Sequence, residues 1–416
     1  MHIGIVGPID TQNIAHLVEG DVVGLPRGYS GAPLLGTLIT ELLRRGHHVS
    51  ATTLSSDMPL VRNSTVTATG KNFSMTYCPM RPRAWQMNGW RPGRIVDLYR
   101  DERRSLQRAI LAAAPDVVHA HWAYEFSLAA MATKIPHVVT CHDSPFAIAK
   151  MYSSSRPTIS AYRWLRVLMG RKVLREAKCI TAVSPYMRDE VQELASTPIE
   201  VVPNPVDALA FSLSRPRNAP SSARIVMVCN GWDVRKNPEP ALLGFAEFRR
   251  DHPDAELHLF GHGFGANEIA QSWCVSRGID GGMVFHGATS HHLLLNAIAA
   301  FDLLLHPSLE ESFGMVIAEA MAIGLPVVAG QKSGAVPWVV GKCGTLCDVA
   351  NPNAIRLALD AAFEPLRYQQ ISHEGVANST ERFSTTKVVD RFYSLYQDAQ
   401  HNHAAKQKNS ERLRWK

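Results

Sequence analysis

Short apolar runs rich in valine and isoleucine alternate along this chain with longer segments of helical period, and few folds accommodate that alternation. Strands covered on both faces by helices read as continuous hydrophobic runs, the pattern of a parallel sheet. In the first half such runs are expected at 3–7, 48–53, 116–121, 137–141 and 179–183. Helical patterns lie between them at 33–45, 101–113, 161–176 and 185–195. A second series places strands at 224–229, 256–260, 283–286, 302–306 and 326–329. Its helices are expected at 238–250, 266–277, 290–300, 314–323 and 352–362. The segment 203–224, rich in Pro, Ser and Asn and without a clear period, reads as a linker between two doubly wound sheets. Ligands of such sheets bind beyond the carboxyl ends of the strands.

A chain of 416 residues suffices for two or three domains, and 46% hydrophobic with 19% charged residues is ordinary globular composition. No run approaches the roughly 18 apolar residues of a membrane-spanning helix. The opening MHIGIVG reads as a first strand and not as a leader peptide, and the seven dispersed cysteines suit reduced thiols, so a cytoplasmic location is expected. A net charge of +6 without a nucleic-acid reading module argues against nucleic acid as a partner.

The stretch HPSLEESFGMVIAEAMAIGLPVVAG, 306–330, carries the most chemistry. Glu311 precedes an expected helix and Glu319 lies eight positions further on, which at 3.6 residues per turn returns a side chain to within about 80° of its starting azimuth. Two carboxylates would then flank a helix N-terminus whose free N–H groups attract phosphate. Carboxylates there suit sugar and ribose hydroxyls on either side of a diphosphate. An isolated pair at this spacing is ordinarily no more than solvated surface.

Several further segments stand in order around this stretch: RRGHHVS (44–50), PDVVHAHW (115–122), VVTCHDS (138–144), ITAVS (180–184), IEVVPNPVD (199–207), RKN (235–237) and TERFS (380–384). Together they resemble the retaining GT-B glycosyltransferases of family 4, from the first strand to about residue 400. The resemblance implies an α/β fold of two Rossmann-like, doubly wound domains facing across a cleft. It implies an acceptor-binding domain at 1–202, a nucleotide-sugar-binding domain at 203–385, a helix at 386–400 packing back on the first domain, and a basic tail at 401–416.

By position, the resemblance implies that Glu311 holds hydroxyls of the transferred sugar and that Glu319 binds the ribose. Phe313, Gly314 and Met315 would form the turn whose amides meet the diphosphate, and Lys236 would stabilise charge on the leaving group. Two positions depart from the family: Gly231 stands where an arginine is usual, leaving Arg235 to supply that charge, and Trp338 stands where many members have glutamate. His142, at the carboxyl end of an expected strand, matches the histidine lining the transfer site. Asp143 is expected to orient it, and His121 reads as a buried structural histidine. Gly31 is the residue expected to admit the donor diphosphate by close backbone approach.

A rival motif, GHGFGA at 261–266, has the form of a dinucleotide fingerprint. That fingerprint belongs on the first βα turn of a domain, and this one follows the second strand of its series. No D-x-D and no metal-ligand spacing occurs, so the expectation is a donor bound without metal and no cofactor beyond the nucleotide sugar. The stretch 81–108 holds eight arginines against three acids, with Trp85, Trp90 and Tyr99 interleaved, and 161–178 holds six basic residues against Glu176. Both suit an anionic or lipid-linked acceptor or contact with the membrane inner face, and equally suit helices with a solvated basic side. The expected activity is transfer of a sugar from a UDP- or GDP-type donor to a hydroxyl, with retention, in glycan, glycolipid or polysaccharide synthesis. A nucleotide-sugar epimerase, or a binding subunit weakened at Gly231 and Trp338, stays open.

Overall fold

The computed structural model describes residues 1–61, 64–153 and 156–414, with side chains through residue 405. It divides into two compact units, one formed by Met1–Pro205 with Thr385–Lys416 and the other by Val206–Ser384.

The first unit is built on an eight-stranded sheet in the order β3-β4-β2-β1-β5-β6-β7-β8. Its strands are β1 (His2–Val6), β2 (His48–Ser55), β3 (Val66–Gly70), β4 (Phe73–Pro79), β5 (Val117–His121), β6 (His137–Cys141), β7 (Ile180–Ala182) and β8 (Ile199–Val201). All neighbours pair in parallel except the β3–β4 hairpin at the edge. Ile3, Ile5, Val49, Val117, Val118, Val138 and Val139 are fully buried, as helices on both faces require.

The second unit holds β9 (Arg224–Val228), β10 (Glu256–Phe260), β11 (Met283–Gly287), β12 (Leu303–His306), β13 (Val327–Gly330) and β14 (Thr345–Cys347). Their order, β11-β10-β9-β12-β13-β14, is the doubly wound arrangement whose direction reverses between β9 and β12. A ligand site is expected where the loops leave the carboxyl ends of those two strands.

Two expectations need correction. The segment 203–224 is not a free linker: it contains a helix at Ala208–Ser212 and belongs, from Val206, to the second unit. Arg217 fastens it there, its guanidinium donating to the carbonyls of Phe301 and Ala299 at 2.6 and 3.0 Å. The last helix runs from Thr385 to Arg414, so the expected basic tail continues it, and 415–416 lie outside the described residues. No helix among the described residues is long and apolar enough to cross a membrane.

Candidate active site

The loops after β9 and β12 meet where the sheet order reverses. Asn237, held at φ 49°, donates its side-chain amide to the carbonyls of Pro307 and Val349 at 3.1 and 2.9 Å. The Leu309 amide donates to the Arg235 carbonyl at 2.8 Å. These bonds fix Lys236 opposite Glu311, and Lys236 Nζ donates to Glu311 Oε1 at 2.6 Å. Both side chains are largely buried, 14% and 13% exposed. Burial pushes the Glu311 carboxyl up, but the His306 ring and the Lys236 ammonium outweigh it and hold the group well below the usual carboxylate range. His306 Nε2 stands 3.5 Å from Glu311 Oε1 without forming a hydrogen bond to it.

Glu311 lies in the loop before the helix Met315–Ile323, pinned by a parallel bridge to Gly334 and by the Ala335 amide bonding its carbonyl at 2.9 Å. Gly314, at φ 91°, turns the chain into the helix without a side-chain cap. A helix entered this way has first-turn N–H groups aimed outward, the arrangement that attracts anions. Phe313 faces inward, only 3% exposed, edge-on to Trp338 and Phe383 at 6.3 and 5.2 Å between ring centres. Trp338, one of the two departures, therefore packs beneath this turn, with the Arg382 guanidinium over its ring at 4.4 Å.

Glu319 is buried, 3% exposed, and accepts a hydrogen bond from His291 Nε2 at 2.6 Å. Burial acts to lower the His291 value, but the bond and charge of Glu319 outweigh it and raise it above the ordinary 6.5. A raised value in the folded state means that this ion pair stabilises fully below about pH 6.5 and fades as pH rises through the folded value. Wild type is thus expected to lose stability above neutral pH through this pair, and His291→Gln to lack that component. Chemical denaturation at a series of pH values checks it.

The glycine loop after β10 lies beside these loops. The Gly231 amide bonds the His262 carbonyl at 3.0 Å, joining the loops after β9 and β10. Gly231 itself sits at φ 103°, so the arginine usual at this position would be strained there. Arg235, half-buried in the same loop, is the neighbouring cation. At Gly261, φ 117°, an added Cβ would lie 2.0 Å from the Cys229 carbonyl oxygen. Gly261→Ala is accordingly expected to destabilise by at least about 2 kcal/mol and to displace the loop, read as a lowered melting temperature.

His142 and Gly31 belong to the first unit, separate in the chain fold from Lys236, Glu311 and Glu319. His142 follows β6, buried, its ring stacked on Trp122 at 4.1 Å and its Nε2 bonded to His121 Nδ1 at 2.9 Å. Burial pushes His142 down to about 3, so the pair is neutral, one ring donating and the other accepting. Trp122, at φ 66°, holds a backbone conformation uncommon for a bulky side chain, of the kind found where geometry serves a site. Asp143 is raised by burial, with the Arg166 charge and a hydrogen bond from Tyr124 opposing, and its Oδ1 is buried without a hydrogen-bond partner among the described residues. It does not hydrogen-bond His142, whose orientation comes from His121 and Trp122. Gly31 lies at φ 114° just before the helix Pro33–Arg44, with open space where a side chain would project. Gly28 is the tighter glycine: a Cβ there would meet the Ile9 carbonyl oxygen at 2.2 Å.

His306 and His291, the partners of the two carboxylates, escaped the sequence reading. His306 could have been suspected from its place at the end of β12, whereas nothing local joins His291 to a glutamate 28 residues on. Among the described residues no group of three or more His, Cys, Asp or Glu side chains is arranged to hold a metal ion.

Comparison with known proteins agrees with this architecture. Residues 34–208 match the Glycosyltransferase Family 4 domain and 222–364 match Glycosyl transferases group 1. The chain is 28% identical over 302 residues to a glycogen synthase of Mycobacterium tuberculosis, covering 68% of each chain. It is 25% identical over 304 residues to N-acetyl-alpha-D-glucosaminyl L-malate synthase of Bacillus anthracis, covering 68% of this chain and 74% of that one. A sucrose-phosphate synthase from Thermosynechococcus elongatus shares the fold, with a TM-score of 0.72 at 18% identity over 96% and 98% of the two chains. With two doubly wound units and a match to a glycosyltransferase domain in each, the chain is a glycosyltransferase of the GT-B type, of the family 4 and group 1 kind.

Proposed function

We propose that the enzyme transfers a sugar, with retention and without metal, from a UDP- or GDP-type nucleotide sugar to a hydroxyl acceptor in glycan, glycolipid or polysaccharide synthesis. The observation that carries this reading is the Lys236–Glu311 pair beside the uncapped, glycine-entered helix at the switch point of the second unit. In this reading the amides of Phe313, Gly314 and Met315 receive the diphosphate, and Glu319 with His291 takes the ribose hydroxyls. A diphosphate shares the Lys236 ammonium with Glu311, which then turns its acceptor oxygens toward the sugar. As the glycosidic bond breaks, charge grows on the leaving phosphate, where Lys236, Arg235 and the helix tip stabilise it. The departing phosphate takes the proton of the incoming hydroxyl on the same face of the sugar.

The first unit is the acceptor side of this proposal. His142, with Nε2 committed to His121, meets a sugar or acceptor hydroxyl through Nδ1, and Gly31 lets backbone approach the diphosphate. An anionic or lipid-linked acceptor, with peripheral contact through 81–108 and 161–178, suits the exposed Trp85, Trp90, Trp164 and Leu168. Part of the basic surplus is internal, however: Arg81 is buried among carboxylates and Arg166 pairs with Glu125 at 3.1 Å.

The test is the anomeric configuration of the product, read by proton NMR with an α-linked donor, a panel of hydroxyl acceptors and excess chelator. An α-linked product formed undiminished with chelator present is expected. A β-linked product, or activity lost to the chelator and restored by a divalent cation, contradicts the proposal.

A further inference from the structure

A cavity of about 690 Å³ opens in the first unit at the amino ends of β6 and β7. His137, the first residue of β6, and Cys179, just before β7, stand on its wall. His142 follows the other end of β6, and five residues of strand at about 3.3 Å each hold the two places roughly 16 Å apart. The cavity is therefore separate from the residues proposed for transfer.

Its chemistry is uneven. Arg103, Lys134, Lys172, Lys178 and Glu176 line it, and Lys172 Nζ stands 3.9 Å from Glu176 Oε1. Leu128, Met131, Ile135 and Pro136 add an apolar lining. Two buried polar atoms on the lining residues, Arg103 Nε and His137 Nε2, have no hydrogen-bond partner among the described residues. Such atoms are costly to leave unmet. His137 Nδ1 lies 3.0 Å from the Ile135 carbonyl oxygen, which can only accept. The hydrogen therefore sits on Nδ1, and Nε2 of the neutral ring presents a lone pair that needs a donor. Burial favours that neutral ring by pushing the His137 value down.

Lys134 adds an independent sign. It follows the C-cap of the helix Glu125–Ala132 at φ 63°, where helices commonly place glycine. A lysine there carries backbone strain that glycine would relieve, and its side chain lines the cavity.

We propose that this cavity binds a phosphate monoester with a hydroxyl-bearing body. The phosphate is met by Arg103, Lys134 and Lys178, a ligand hydroxyl donates to His137 Nε2, and the carbon skeleton lies on the Leu128–Met131 side. The same chemistry is offered by a soluble sugar or polyol phosphate and by a phosphoinositide headgroup.

Calorimetric titration of the full chain with glucose 6-phosphate, beside cosedimentation with phosphatidylcholine vesicles carrying phosphatidylinositol phosphate, tests it and distinguishes the sources. Wild type is expected to bind at least one probe. Lys134→Gly is expected to weaken that binding tenfold or more while melting at or above the wild-type temperature, so that lost binding is not lost folding. His137→Phe should remove the preference for glucose 6-phosphate over inorganic phosphate. Binding of the soluble ester assigns a metabolite, and binding of the vesicle alone assigns a headgroup. Failure of wild type to bind either probe, or binding unchanged in Lys134→Gly and Arg103→Gln alike, overturns the proposal.

Discussion

Replacing Arg81 by alanine is expected to destabilise the first unit by about 3–5 kcal/mol, the range for leaving a buried charge without its partner. All five guanidinium N–H groups are used. Nε and Nη2 donate to Glu102 at 2.9 and 2.6 Å, Nη1 and Nη2 to Asp97 at 2.9 and 2.7 Å, and Nη1 also to the Pro92 carbonyl at 3.1 Å. The Arg81 side chain and that of Glu102 are each 1% exposed. Burial alone would lower the Arg81 value, but the two carboxylates hold the guanidinium firmly protonated. Alanine would thus leave Glu102, itself 1% exposed, without the cation it faces. The double variant Arg81→Met with Glu102→Leu removes both charges and should recover much of the loss. Denaturant titration of the two variants checks this; a loss below about 1 kcal/mol for Arg81→Ala would show that the hub is dispensable.

Glu311→Ala and Lys236→Ala are each expected to lower kcat/KM for transfer by at least ~10²-fold, the scale for removing one preorganised group from a developing charge. Each single change also leaves the other member partly buried and unpaired, so some stability is lost with the activity. Lys236→Met with Glu311→Gln separates the two effects: it should restore melting toward wild type and leave transfer abolished. The pair has an acid signature as well. Because the folded Glu311 value is depressed, its stabilisation is complete above the ordinary carboxylate value of 4.5 and fades as pH falls through the lower folded value. Denaturation of wild type and the double variant should therefore converge in acid. Single variants with wild-type turnover would remove both residues from the site.

The sheet strands that are apolar on both faces were legible because burial and sequence say the same thing there: β6 at His137–Cys141 and β10 at Glu256–Phe260 fall where the runs predict. The β3–β4 hairpin was not, because an edge pair alternates Thr and Ser with apolar residues and resembles a polar loop. The helix Glu125–Ala132 also escaped, since six of its residues, Glu125–Ala130, are buried and no polar face marks its period. At the site, the residue types at Glu311, Glu319, Gly314 and Lys236 carried a signal through their resemblance to a family. The bonds that orient them carried none. Lys236 reaches Glu311 across 75 positions and Glu319 reaches His291 across 28, distances set by strand order. Gly231 illustrates the converse, a family departure that follows from a left-handed backbone at φ 103°.

Calorimetric titration of a panel of nucleoside diphosphate hexoses into wild type, Lys236→Ala and Glu319→Ala tests the donor site most directly. Wild type should bind one base class with a defined stoichiometry, and both variants should lose at least about tenfold in affinity, roughly 1.4 kcal/mol. Equal affinity in all three proteins would place the nucleotide sugar elsewhere on the chain and contradict the account.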